Sequence, residues 1–169
     1  MTRNGQPKAA PPRAQASDDG ERARPQLCLG QFVPHRLSVL SNTVSRAISR
    51  EYARRFGLSI PEWRVIAVLR DFPGISSGEL ADESGMDNVA VSRAVNHLVR
   101  AGLVTRHACP ADRRRRVLDL TPQGESVYDE ITPLALGYER SLLETLEPEE
   151  RGQLDALLDK LLSRARRLG

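Results

Sequence analysis

Four consecutive arginines, Arg113 to Arg116, stand between two short strand-like runs, Leu103-Val104-Thr105-Arg106-His107 and Val117-Leu118-Asp119-Leu120. Two such runs joined by the polar tip that starts at Pro110-Ala111-Asp112 read as a β-hairpin. On an isolated loop the four charges would repel one another. The hairpin therefore demands either an anionic partner or full solvation of its tip. At least one arginine is expected to turn inward and pair with Asp112 or pack its stem.

From about Phe32 to the hairpin the chain reads as a run of helices separated by short turns. Phe32, Leu37, Leu40, Val44, Ala47, Ile48, Tyr52 and Phe56 recur at helical spacing, with Pro34 in the first turn and Gly57 at the end. Ser59-Ile60-Pro61-Glu62 and Ser76-Ser77-Gly78-Glu79 both have the form of capping boxes. The first opens a helix carrying Trp63, Val65, Ile66, Val68 and Leu69. The second opens a short helix through Leu80, Ala81 and Ser84 that Gly85 terminates. Asp87 is placed to cap the next helix, which carries Val91, Ala94, Val95 and Leu98 inward and ends at Gly102.

A short helix, a glycine turn, a second helix and a hairpin make a winged helix-turn-helix. In that arrangement the second helix enters the DNA major groove. Asn88, Val89, Ala90, Ser92, Arg93 and Asn96 are left on its outer face. Arginine suits guanine, asparagine suits adenine, and small apolar groups suit the thymine methyl. The arginine run falls at the wing, where a narrow, negative minor groove favours it. The competing reading is an ordinary solvated helix face and a solvated charge run.

After the hairpin, Thr121-Pro122 starts a further helix lined by Val127, Ile131, Leu134, Tyr138, Leu142 and Leu146, with Pro133 predicting a kink. Glu147-Pro148 restarts the chain into a last helix bearing Leu154, Leu157, Leu158, Leu161, Leu162 and Leu168. The expected fold is mainly α with a small β-hairpin wing: a winged helix-turn-helix embedded in a helical dimerisation domain. Residues 59–120 form the DNA-binding lobe, with the recognition helix at about 87–101 and the wing at about 103–120. Residues 29–58 and 121–169 form the dimerisation region, because their apolar stripes exceed what the small lobe needs to cover its core. Residues 1–28, rich in proline and arginine, lack the large apolar side chains that would offset ordering entropy and read as a disordered tail.

Composition sets the outer limits. The chain has 169 residues, 40 % apolar and 28 % charged, which supports a core but leaves no apolar run near the ~18 residues of a spanning helix. The N-terminus carries no continuous apolar segment of the secretory type, so a cytoplasmic protein is expected. The pI is about 9.2 although the net charge is only +3. Lys8 and Lys160 are the only lysines, so the basic charge is nearly all arginine, the better residue for bidentate and groove contacts. No nucleophile–base–acid set, phosphate loop or metal cluster stands out, so neither an enzyme, a cofactor nor a metal site is expected.

The combined motifs resemble the MarR family of winged-helix regulators over roughly residues 31–165. The most specific match is Asp112-Arg113-Arg114 followed by Leu118-Asp119-Leu120-Thr121 and Gly124, the wing pattern D-x-R-x-x-x-V-x-L-T-x-x-G with Leu118 where valine is usual. Ile60-Pro61-Glu62-Trp63-Arg64-Val65, Glu79-Leu80-Ala81, Val91-Ser92-Arg93 and Leu98-Val99-Arg100-Ala101-Gly102-Leu103-Val104 support it. The resemblance implies a two-fold homodimer on a pseudo-palindromic operator. It places Val89, Ala90, Ser92 and Arg93 on base-reading positions and Arg113 in the minor groove, and has Asp112 orient the wing through a salt bridge; Arg114 and Arg115 join the candidate DNA contacts as members of the arginine run.

The family also implies a repressor released by a small molecule, here expected to be an aromatic acid or its coenzyme A thioester from aromatic-compound catabolism. Candidate ligand residues are His35, Arg36, Ser38, Ser41, Asn42 and Arg46 on the first helix and Trp63 and Arg64 on the second. An arginine would hold a carboxylate and Trp63 would stack on a ring. The plain alternative is that Trp63 is core and the others surface. Two further alternatives are a thiol-based redox sensor acting through Cys28 or Cys109, and a winged-helix module that binds proteins rather than DNA.

Overall fold

The computed structural model describes residues 26–109, 111–112 and 114–168; the proposed tail up to residue 25, Pro110 and Arg113 lie outside the described residues. The element order is α1 (Val33–Phe56), α2 (Ile60–Asp71), α3 (Ser77–Ser84), α4 (Asn88–Arg100), β1 (Val104–Ala108), β2 (Arg116–Leu120), α5 (Pro122–Leu143) and α6 (Pro148–Ala165). The fold is mainly helical with one antiparallel hairpin, as the residue pattern implied.

The core sits under α4. Val91, Ala94, Val95 and Leu98 are buried, the spacing of a single helix face. They pack with Val65, Ile66 and Leu69 of α2, Leu80 and Ala81 of α3, and Val104 and Leu118 of the hairpin. Glu62 is the one buried charged residue of this region. Its carboxylate accepts from the Ser59 amide at 2.7 Å and faces His97 Nδ1 at 2.7 Å. One side chain therefore closes the start of α2 and ties it to α4.

The first strand lies one residue later than the sequence reading and the second begins one residue earlier, both readings ending the hairpin at Leu120. Leu103 stays out of β1 because it completes the helix end: its amide donates to Leu98 O at 2.9 Å, and Gly102, at φ +72°, donates to Val99 O at 3.1 Å. The hairpin pairs Val104 with Leu120, Arg106 with Leu118 and Ala108 with Arg116. It also gains a short third partner that the sequence did not announce. Leu118 N–H donates to Ile75 O at 2.9 Å and Gly74 N–H to Leu118 O at 3.1 Å, which fastens the wing to the loop between α2 and α3.

Three segments converge where the hairpin meets α5. The Thr121 amide donates to Leu103 O at 3.0 Å, and its hydroxyl donates to Gly102 O at 2.7 Å while accepting from Gly124 N–H at 3.1 Å. Gly124 lies flat against the Leu103 carbonyl, and a Cβ there would collide with backbone. α5 then continues as one helix through Pro133.

α1, α5 and α6 leave much of their apolar surface uncovered. α6 buries none of its residues, and Leu157 and Leu162 are each 57 % exposed. Leu37 and Leu40 on α1 and Leu136 and Leu142 on α5 are exposed as well.

Replacing Gly124 by Ala should destabilise the fold by about 1–3 kcal/mol, the usual cost of overpacking against a well-packed site. Urea unfolding checks this: a midpoint equal to that of the parent protein would show that the α5 start is free to move away from Leu103.

Candidate nucleic-acid interface

The outward face of α4 is set by its two ends. Gly85, at φ +63°, closes α3 in the left-handed conformation. Two residues later the Asp87 carboxylate accepts from the Ala90 amide at 2.8 Å and starts α4. With the apolar face of α4 buried, Asn88, Val89, Ser92, Arg93 and Asn96 stand exposed along the other side. Ala90 departs from the expected set, since it is half-buried beside the cap.

The wing tip is built by backbone. Asp112 Oδ1 accepts from the Arg114 amide at 3.0 Å, Asp112 O accepts from the Arg115 amide at 2.9 Å, and Cys109 N–H donates to Arg115 O at 2.8 Å. Asp112 therefore orients the tip as a turn residue; among the described residues it forms no ion pair. Arg113, the expected minor-groove arginine, lies outside the described residues. Arg114 is exposed.

Among the described arginines of the run none is buried; Arg115 lies across the surface and its partner is Glu79 rather than Asp112. The Arg115 guanidinium pairs with the Glu79 carboxylate, which also accepts from Ser76 N–H at 2.7 Å and Ser76 Oγ at 2.8 Å. These donors, the Ser76 amide foremost, pull the Glu79 carboxyl down to about 2. A lowered folded-state pKa means the stabilising charge is fully present above about 4.5 and is lost as pH falls toward about 2. The pair thus persists through the neutral range and joins the wing tip to the start of α3. A second tie joins the wing to α4: Arg106 donates to Asn96 Oδ1 at 3.3 Å.

The candidate ligand residues do not come together. Trp63 and Arg64 line a small cleft of about 140 Å³ between α1 and α2, with Ser45, Ile48, Tyr52 and Ala67. His35 and Arg36 line a separate open depression with Val39 and Leu40. Ser38, Ser41, Asn42 and Arg46 are exposed and line neither. The reason is the length of α1: at 1.5 Å per residue, His35 and Tyr52 are roughly 25 Å apart along the helix. Trp63 is already stacked, with ring centroids 5.8 Å from Tyr128 and 5.9 Å from Tyr52. Tyr52, which the sequence suggested only as core, reaches this cleft; burial pushes its phenol up to about 12, with the Arg64 charge pulling the other way. The two cysteines differ in setting: Cys28 is exposed ahead of α1 and Cys109 is half-buried at the end of β1.

The MarR family profile matches residues 56–115, the span from the end of α1 to the wing tip. A putative transcriptional regulatory protein for the hcr operon of Thauera aromatica is 30 % identical over 119 residues, 68 % of this chain and 72 % of that protein. The chain belongs to the MarR family of transcriptional regulators. A MarR/EmrR family regulator from Acinetobacter sp. ADP1 has the same fold, with a TM-score of 0.76 at 29 % identity over 83 % of this chain and 99 % of that one. Bordetella bronchiseptica BpsR, a regulator whose DNA binding responds to 6-hydroxynicotinic acid, superposes with a TM-score of 0.68 at 26 % identity over 81 % of this chain and 97 % of its own. As a MarR regulator the chain is a DNA-binding protein, and no helix among the described residues is long and apolar enough to cross a membrane.

If Arg115 serves to hold the wing on α3, Glu79→Gln and Arg115→Gln should each weaken DNA binding, and the double variant should be no weaker than Arg115→Gln alone. Additive losses in a double-mutant cycle of DNA affinity would instead make Arg115 an independent DNA contact.

Proposed function

We propose that this MarR-family regulator is a homodimeric repressor that reads a pseudo-palindromic operator with α4 and the wing and releases it on binding a single-ring aromatic acid. The observation that carries the DNA reading is the outer face of α4. It is exposed and polar beneath a fully buried inner face, and its Asn96 meets the wing strand through Arg106. On this reading Asn88, Val89, Ser92, Arg93 and Asn96 face base edges, Ala90 supports the helix entry, and Arg113 and Arg114 line the minor groove. Asp112 shapes the tip that presents them, and Arg115 secures it.

The dimer reading rests on the uncovered leucines of α6 and on the exposed apolar residues of α1 and α5. Stripes of this kind mark interfaces, and a two-fold pair of readers suits a pseudo-palindrome. For the ligand, the α1–α2 cleft offers Arg64 for a carboxylate and an aromatic wall of Tyr52 and Trp63. Its volume, about 140 Å³, falls below the range of about 300–1,000 Å³ for drug-sized ligands. A free one-ring acid suits it better than a coenzyme A thioester, whose bulk would remain outside. The response of BpsR to 6-hydroxynicotinic acid is in keeping with such a ligand.

Fluorescence anisotropy of the protein on DNA from upstream of its own coding region, against excess unrelated DNA and with a panel of aromatic acids and thioesters, tests the whole reading. Specific binding released by a one-ring acid is expected. Specific binding released only under oxidation would move the signal to Cys28 or Cys109, and no preference for any upstream DNA would sink the repressor assignment. On the same operator Arg93→Ala should cost about 1–3 kcal/mol and relax base preference; unchanged preference would displace α4 from the groove. Arg113→Ala should weaken binding mainly where the flanks are A·T-rich. Equal loss on every flank would reduce Arg113 to a phosphate contact.

A further inference from the structure

Asn96 and Arg106 meet at the seam between α4 and the wing, and both are exposed. Arg106 stands opposite Leu118 in the hairpin, so its side chain leaves the same face as that buried leucine. It crosses to α4 and donates to Asn96 Oδ1 at 3.3 Å. A guanidinium carries donors only, so an asparagine amide can meet it only through the carbonyl oxygen. The amide is thereby fixed, with Nδ2 as the group left to meet a ligand.

We infer that Arg106 is a specificity-determining positioning residue, which sets base preference by holding the Asn96 amide as a hydrogen-bond donor. This rests on the placement of α4 in the major groove. An asparagine free to rotate pairs bidentately with adenine, accepting from N6 and donating to N7. Held by Arg106, Asn96 keeps its donor free, while its oxygen, with one lone pair committed to the guanidinium, is tied to the wing and cannot turn to complete the bidentate pair with adenine. Guanine, with O6 and N7, and thymine, with O4, satisfy it. Adenine retains one bond of the two. Cytosine, which presents its N4 amine, satisfies none. The same residue read without its neighbour would be assigned to adenine, so the tertiary contact changes the base that Asn96 selects.

The test is selection of duplexes from a randomised pool by the full-length chain and by its Asn96→Ala, Arg106→Ala and Arg106→Lys variants. The parent protein should favour guanine or thymine over cytosine at one position in each half-site, by at least about 5-fold. Asn96→Ala should flatten that position alone. Arg106→Ala should shift it toward adenine and leave the others as they were, whereas Arg106→Lys, which keeps a donor, should retain the parent preference. A uniform loss of affinity in Arg106→Ala with the base preference unchanged would overturn the inference and make Arg106 a phosphate contact. If Asn96→Ala alters no position while others remain selective, the inference falls and the placement of α4 survives. If the parent protein selects no sequence, both fall together.

Discussion

The contact between Gly124 and the Leu103 carbonyl fixes the geometry on which the rest of the molecule depends. At that point the end of α4, the start of β1 and the start of α5 share a set of hydrogen bonds through Thr121 and Gly102. The end of α4 and the start of α5 are thereby joined through the Thr121 amide and hydroxyl and through the close approach of Gly124 to the Leu103 carbonyl.

The DNA-binding lobe is braced from several sides. The third strand partner at Ile75 holds the base of the wing, and Glu79 holds its tip through Arg115. Glu62 and His97 tie α2 to α4, and Arg106 ties the wing to the outer face of α4. Exposed polar ties of this sort contribute little to stability individually. Their effect is on orientation: they fix the angle between helix and wing, the variable that decides whether two grooves can be engaged at once. The aromatic stack of Tyr52, Trp63 and Tyr128 draws on α1, α2 and α5 together. A ligand beside Trp63 would press on all three helices that connect the lobe to the rest of the chain.

The helices and their ends were legible because their signals are local. Ser76 with Glu79, Asp87, Gly85, Gly102 and Thr121 each act within a few residues, and each does in the structure what its spacing implies. The inner face of α4 was legible for the same reason, since period alone places Val91, Ala94, Val95 and Leu98 together. The ligand set is spread in the structure: His35 and Arg36 line one depression, Trp63 and Arg64 another, and Asn42 and Arg46 line neither. Tyr52 is core, as its spacing implied, and it also lines the cleft beside Trp63.

The sequence by itself determined the order of elements, their caps, the buried face of α4 and the membership of the MarR family, because these depend on periodicity and on short motifs. Only the tertiary structure decided which charges meet. Glu79 and Arg115 are separated by 36 positions in the chain, and nothing in either local pattern names the other. Asn96 and Arg106 lie ten positions apart on elements of different period, and their meeting depends on how the hairpin folds back across α4. Helix and strand signals travel only a few residues, whereas an ion pair or an oriented amide is settled by the packing of whole elements. That is why the sequence named the exposed face of α4, and only the folded chain assigned the polar partners within it.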